Sequence, residues 1–184
     1  MLLATTGMRR GEALGVRWSD LDLDAARLRV VQTLIRTRSS VTIGEPKTAH
    51  GRRPLALDKG TVAAMREHRR RMLAERLLVG PDFDDHGLAF HQPDGPCLRP
   101  NAVSEMFLRR ARRYGLPRLT LHGLRHTWAT LVLERGVHPR VVQERFGHST
   151  ISITLGMYSH LGPVLHDEAA ETIAGLVLSV PAPG

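Results

Sequence analysis

The chain has 184 residues, enough for one domain with a proper core and too few for two of ordinary size. Its 26 Lys and Arg against 18 Asp and Glu leave a formal charge of +8, with a pI near 11.0, which favours a polyanionic partner such as nucleic acid. The single cysteine, Cys97, excludes an internal disulfide and suits a reducing cytoplasm; no apolar run is long enough for a membrane span, and the start lacks the basic region of a signal peptide.

In chain order, Met1–Thr5 reads as the last turn of an apolar helix, with Gly7 as its terminator. Earlier turns are expected to be missing, so the chain reads as truncated at its N-terminus. Next, TGMRRGEALGVRW places Arg9 just beyond the turn and Glu12 in the first turn of a new helix. Glu12 has two readings of equal weight: a helix-start carboxylate favoured by the macrodipole, or a carboxylate that fixes the Arg9 side chain.

From Arg27 to Thr42 the pattern turns to Val, Ile, Leu and Thr in two short β-like runs, and Gly44, Glu45 and Pro46 lead to Lys47. Arg52, Arg53 and the apolar Pro54–Leu57 follow, giving a small sheet with a basic hairpin at its tip. A lysine there is a solvated turn residue, a backbone contact for nucleic acid, or a mobile general acid for a departing oxygen. Asp58 caps a helix running to about Leu78, whose buried side is expected to carry Val62, Met65, Leu73 and Leu77. A loop rich in Gly, Pro and Asp runs from Gly80 to Gly95.

Asn101–Tyr114 is the next helix, with Val103, Met106, Phe107 and Ala111 toward the core. Arg109, Arg110, Arg112 and Arg113 exceed what solubility needs and, with Arg52 and Arg53 of the hairpin, are candidate phosphate contacts on a DNA backbone. Thr120 is a plausible cap for a helix in which Leu121, Leu124, Trp128, Leu131 and Val132 share one side. His122 and Arg125 are then neighbours on its edge and can converge on one anion. By itself such a pair is more often a surface arginine beside a partly buried histidine. His126 has metal-ligand spacing from His122, but no third ligand is obvious, so no metal is expected. His138–Pro139 opens a helix that ends at Gly147, followed by His148 and Tyr158. Ile151, Ile153 and Leu155 alternate like a strand, although their place between helices favours helix. A last amphipathic segment spans Val164–Leu178. The whole reads as an α+β chain, mainly helical, with a small antiparallel sheet in its first third.

Taken in order, TGMRRGE, PKTAHGRRPL, HGLRHTWAT and FGHSTISITLGMYSH make the sequence resemble the catalytic domain of tyrosine recombinases, also called phage integrases. The resemblance covers nearly the whole chain as a single catalytic domain, without the family's core-binding and arm-binding domains. It implies site-specific recombination or integration of double-stranded DNA through a 3′-phosphotyrosyl intermediate, with no cofactor. Tyr158 would be the nucleophile, Arg9 and Arg125 the braces of the non-bridging oxygens, His122 and His148 further hydrogen-bonding groups, and Lys47 the acid that protonates the 5′-oxygen. It also implies a homo-tetramer on paired sites from a monomer in solution, residues 163–184 exchanged between protomers, and a cytoplasmic, nucleoid-associated setting. Two alternatives are a catalytically incompetent DNA-binding remnant and a type IB topoisomerase-like enzyme.

Overall fold

The computed structural model describes residues 1–37, 40–46, 49–152 and 156. Helix α1 (Leu2–Thr6) ends where Gly7 takes the left-handed conformation at φ 66°, and α2 (Arg10–Leu14) follows at once. A side chain at Gly7 is excluded twice, because a Cβ there would lie 2.6 Å from the Phe146 ring. The chain then enters β1 (Leu21–Asp22), β2 (Arg27–Val30), the hairpin β3 (Thr33–Arg36) and β4 (Val41–Gly44), and β5 (Arg53–Ala56). Strand pairing separates the expected sheet into two: an antiparallel sheet in the order β1-β2-β5, with Leu28 opposite Leu55, and the separate β3-β4 pair.

Alternation explains the first sheet. Leu28 and Val30 are buried while Arg27 and Arg29 are exposed, and Arg53, Leu55 and Leu57 are buried while Pro54 and Ala56 are exposed. The inward face meets Leu2, Met8, Ala13, Val16, Met65 and Ala89 in one core cluster. Helix α3 (Lys59–Val79) covers it, capped by Asp58, whose side chain accepts from the Thr61 amide. The expected buried side of α3 needs correction. Met65 and Met72 are buried and Val62 is partly so, but Leu73 and Leu77 are 51% and 82% exposed. A helix of 21 residues runs about 32 Å, whereas a four-residue strand covers only about 13 Å, so the second half of α3 overruns the sheet.

The C-terminal helices α4 (Pro100–Arg113), α5 (Leu121–Glu134) and α6 (Pro139–Phe146) begin close to their expected places. Thr120 caps α5 by accepting from the Gly123 amide, and Gly147 ends α6 at φ 62°. In α4, Ala111 is buried and Val103 and Phe107 are half-buried, but Met106 is 41% exposed. In α5 the buried line is Arg125, Ala129 and Leu133, while Leu131 is 54% exposed. The expected stripe is rotated because a polar residue, Arg125, lies inside. Ala129, Leu133, Val142 and Phe146 form a second core cluster with Trp128 packed against it. Trp128 ties this cluster to the first helix by donating to the Thr5 carbonyl at 3.2 Å. Ile151 and Ser152 are helical, as preferred over strand; Ile153, Leu155 and the segment Val164–Leu178 lie outside the described residues.

Between the two clusters sits a buried carboxylate. Glu12 accepts from Arg53 Nη1 at 3.2 Å and Nη2 at 2.9 Å, from Arg9 Nη1 at 2.9 Å and from the Arg9 amide at 2.9 Å. Arg53 also donates to the Gly51 and Arg145 carbonyls at 2.9 and 2.6 Å, so β5, α2 and α6 are joined through one guanidinium. Removing one partner of a buried ion pair strands the other charge. Arg53→Met is therefore expected to destabilise the chain by about 3–5 kcal/mol in urea unfolding. Adding Glu12→Leu to that variant should recover most of the loss; a double variant as weak as the single one would contradict this account.

Candidate active site

Three elements deliver the site. The turn between α1 and α2 ends in Arg9, which is the N-cap residue of α2 in extended conformation and is held there by Glu12 accepting from its backbone amide. Helix α5 carries His122 in its first turn and Arg125 one turn on. The C-terminus of α6 supplies Phe146, Gly147 and His148; the left-handed Gly147 turns the chain so that the His148 amide donates to the Gln143 carbonyl at 3.1 Å. No side chain is tolerated at Gly147 either, since a Cβ would meet the His50 carbonyl at 2.7 Å and Arg53 Nη1 at 2.9 Å.

These elements converge on the Phe146 carbonyl oxygen. Arg9 Nη1 donates to it at 3.1 Å and Arg125 Nη2 at 3.0 Å, so two guanidinium groups from helices far apart in sequence meet at one acceptor. Arg125 Nη1 also donates to the Gly7 carbonyl at 2.5 Å, and its Cζ lies 3.6 Å from the centre of the Phe146 ring. A charge at 5% exposure is tolerated because carbonyl dipoles and an aromatic face replace water around it. Arg9 is solvent-exposed by contrast, and with Arg10, Gly11, Ser104, His122 and Arg125 it lines a cavity of about 530 Å³. A neighbouring cavity of about 620 Å³ takes in Arg9, Arg10, Gly51, Gly147 and His148.

His148 completes the cluster at 3.3 Å from Arg125 Nη2, through Nε2. Arginine only donates, so this nitrogen accepts and the ring proton of a neutral His148 belongs on Nδ1. Burial first, and then the charges of Arg125, Arg9 and Arg53, push the His148 pKa down to about 4, against a smaller opposing pull from Glu12. Burial alone would raise the Glu12 carboxyl, but the hydrogen bond and charge of Arg53, with those of Arg9, outweigh it and leave the pKa below the ordinary value. The described cluster thus holds three guanidinium groups, one carboxylate and a neutral imidazole.

The sequence candidates fare unevenly. Arg9, Arg125 and His148 come together, His122 shares the first cavity, and Glu12 satisfies both of its readings by starting α2 and holding the Arg9 side chain. Lys47 and Tyr158 lie outside the described residues. Arg109, Arg110, Arg112 and Arg113 are exposed on α4, and Arg52 is exposed and paired with Glu45. Arg53 is the correction: at 8% exposure and engaged on every side, it is an internal tie and not a surface contact for a phosphate. Arg10 was missed. It donates to Ser104 Oγ at 2.6 Å and lines both cavities, and the only hint was its place beside Arg9. Among the described residues no three His, Cys, Asp or Glu are grouped for a metal ion, and no helix is long and apolar enough to cross a membrane.

The profile described as the phage integrase family matches residues 1–163. A protein of Caldanaerobacter subterraneus subsp. tengcongensis named "Tyrosine recombinase XerC-like" is 32% identical over 191 residues, covering 97% of this chain and 49% of its own length. The integrase of Mycobacterium phage D29 is 29% identical over 153 residues, covering 81% of this chain and 39% of the phage protein. Among solved structures, the Tn1549 transposon integrase in complex with transposon right end DNA is similar at a TM-score of 0.74 and 26% identity, over 85% of this chain and 52% of that one. The chain spans about half the length of the relatives it matches. Since the profile begins at Met1 and continues past the last described residue, taking in every strand and helix above, this chain belongs to the phage integrase family.

Proposed function

We propose that this chain is the strand-cleaving and rejoining part of a site-specific recombinase acting on double-stranded DNA. The observation that carries the reading is the meeting of Arg9 and Arg125 on the Phe146 carbonyl oxygen, at 3.1 and 3.0 Å. Two guanidinium groups that reach one oxygen atom are close enough together to brace the non-bridging oxygens of a single phosphodiester, which supports this reading. The family and the DNA complexes of its relatives point the same way, as does the +8 charge.

In this reading the Tyr158 hydroxyl gives up its proton to solvent as its oxygen attacks the phosphorus, the bond to the 5′-oxygen breaks as the 3′-phosphotyrosyl bond forms, and Lys47 gives the departing oxygen its proton. His122 and His148 add hydrogen bonds to the phosphate oxygens. Because the phosphotyrosyl bond retains the phosphodiester linkage, a free 5′-hydroxyl can reverse the step onto another strand without a nucleotide cofactor. Exposed Arg109, Arg110, Arg112 and Arg113 are candidates for the flanking backbone. Four protomers on two duplexes, in a cytoplasmic setting beside the chromosome, complete the proposal.

A duplex nicked near the scissile phosphate traps the covalent intermediate. The wild-type chain should form an adduct that survives denaturation, Tyr158→Phe none, and Arg125→Ala about 100- to 1,000-fold less. Duplex binding by the wild type with no adduct would favour a DNA-binding remnant; plasmid relaxation without joined-site product would favour a topoisomerase-like enzyme.

The contact of His148 Nε2 with Arg125 requires that ring to be neutral, because Nε2 must accept there. Its folded pKa, about 4, lies below the unfolded value near 6.5, so between those limits the unfolded chain binds the extra proton and stability falls as the pH is lowered. The unfolding midpoint should therefore drop from pH 6.5 to 4, and His148→Gln should flatten that slope. Parallel curves for the two proteins would contradict it.

A further inference from the structure

Helix α5 carries a second imidazole that the proposed chemistry does not use. His126 lies one turn beyond His122, with their Nε2 atoms 2.9 Å apart and their rings nearly perpendicular at 81°. At that separation one nitrogen carries the proton and the other accepts it; two lone pairs or two N–H groups would repel. The two rings differ in setting. His122 is exposed, whereas His126 is half-buried, and burial, then the charges of His122 and Arg125, lower the His126 pKa. That burial and those charges favour the uncharged form of His126.

An exposed histidine on the first turn of a helix has freedom about both side-chain torsions and offers either ring nitrogen. A partner at four residues' spacing removes both freedoms, since the helix itself fixes where the second ring stands. Arg125, which lies between the two histidines in sequence, is directed to the Gly7 and Phe146 carbonyls. We propose that His126 is a positioning residue: it occupies Nε2 of His122 and holds that ring at the rim of the cavity shared with Arg9 and Arg125, leaving Nδ1 as the atom offered to a phosphate oxygen. This rests on the strand-transfer reading of the same cavity. It also gives the half-buried His126 a task that metal-ligand spacing alone did not.

The test compares His126→Phe, which keeps the ring volume and loses the hydrogen bond, with His126→Gln, whose amide can reach the same atom. On the nicked duplex, His126→Phe should slow adduct formation about 10- to 100-fold, the usual cost of a misplaced reacting group, with unchanged duplex affinity and unfolding midpoint; His126→Gln should restore most of the rate. In the full chain labelled with nitrogen-15 at histidine, the ring-nitrogen shifts of His122, assigned with His122→Gln, should move toward a mixed tautomer in His126→Phe. Wild-type adduct rates in His126→Phe, or unmoved His122 shifts, overturn the proposal. If the wild type itself forms no adduct, the strand-transfer reading falls, while the His122 shifts still decide whether His126 positions its neighbour.

Discussion

A carboxylate buried between two arginines organises this chain. Glu12 has room for about four hydrogen bonds at its two oxygens, and Arg53, the Arg9 side chain and the Arg9 amide supply them all. Burying a charge costs several kcal/mol unless it is paired and hydrogen-bonded, so the packing of α2 on β5 depends on this arrangement being complete. Through the Arg145 and Gly51 carbonyls the same guanidinium reaches α6 and the approach to β5. The sheet and the C-terminal helices, which have separate apolar clusters, therefore meet across a polar joint.

That joint also sets the electrostatics of the site. Glu12 offsets part of the positive charge of Arg9, Arg53 and Arg125, so a net excess remains beside the cavities without leaving three unopposed cations together. Burial first, and then that excess, hold the His148 pKa down to about 4, so the ring is unprotonated near neutral pH. Structural and proposed chemical roles are thus shared by the same few groups: Arg9 caps a helix, pairs with Glu12 and meets Arg125 at the Phe146 carbonyl.

Features governed by near neighbours are legible in the sequence itself. Gly7 and Gly147 end helices in the left-handed conformation, Thr120 and Asp58 cap theirs, and the spacing of His122 and Arg125 follows from one turn of helix. What was hidden depends on distant partners. Arg53 looks like a surface residue in a basic run because the carboxylate that draws it inside is 41 positions away. Arg125 looks like the edge of an apolar stripe until the Gly7 and Phe146 carbonyls, 118 and 21 positions distant, are seen to solvate it. Leu73 and Leu77 keep a helical apolar rhythm, but the sheet beneath α3 is too short to use it.

The Phe146 carbonyl has a thermodynamic meaning of its own. Because it already accepts from Arg9 Nη1 and Arg125 Nη2, a diester drawing on those two nitrogens would compete with a built-in oxygen on the proposed chemistry. Exchange of one acceptor for another yields little net affinity for the resting substrate. A phosphorus centre with charge accumulating on its oxygens outbids a neutral amide by more, so on the proposed chemistry the arrangement spends its attraction on the reacting species and keeps hold of intact DNA loose.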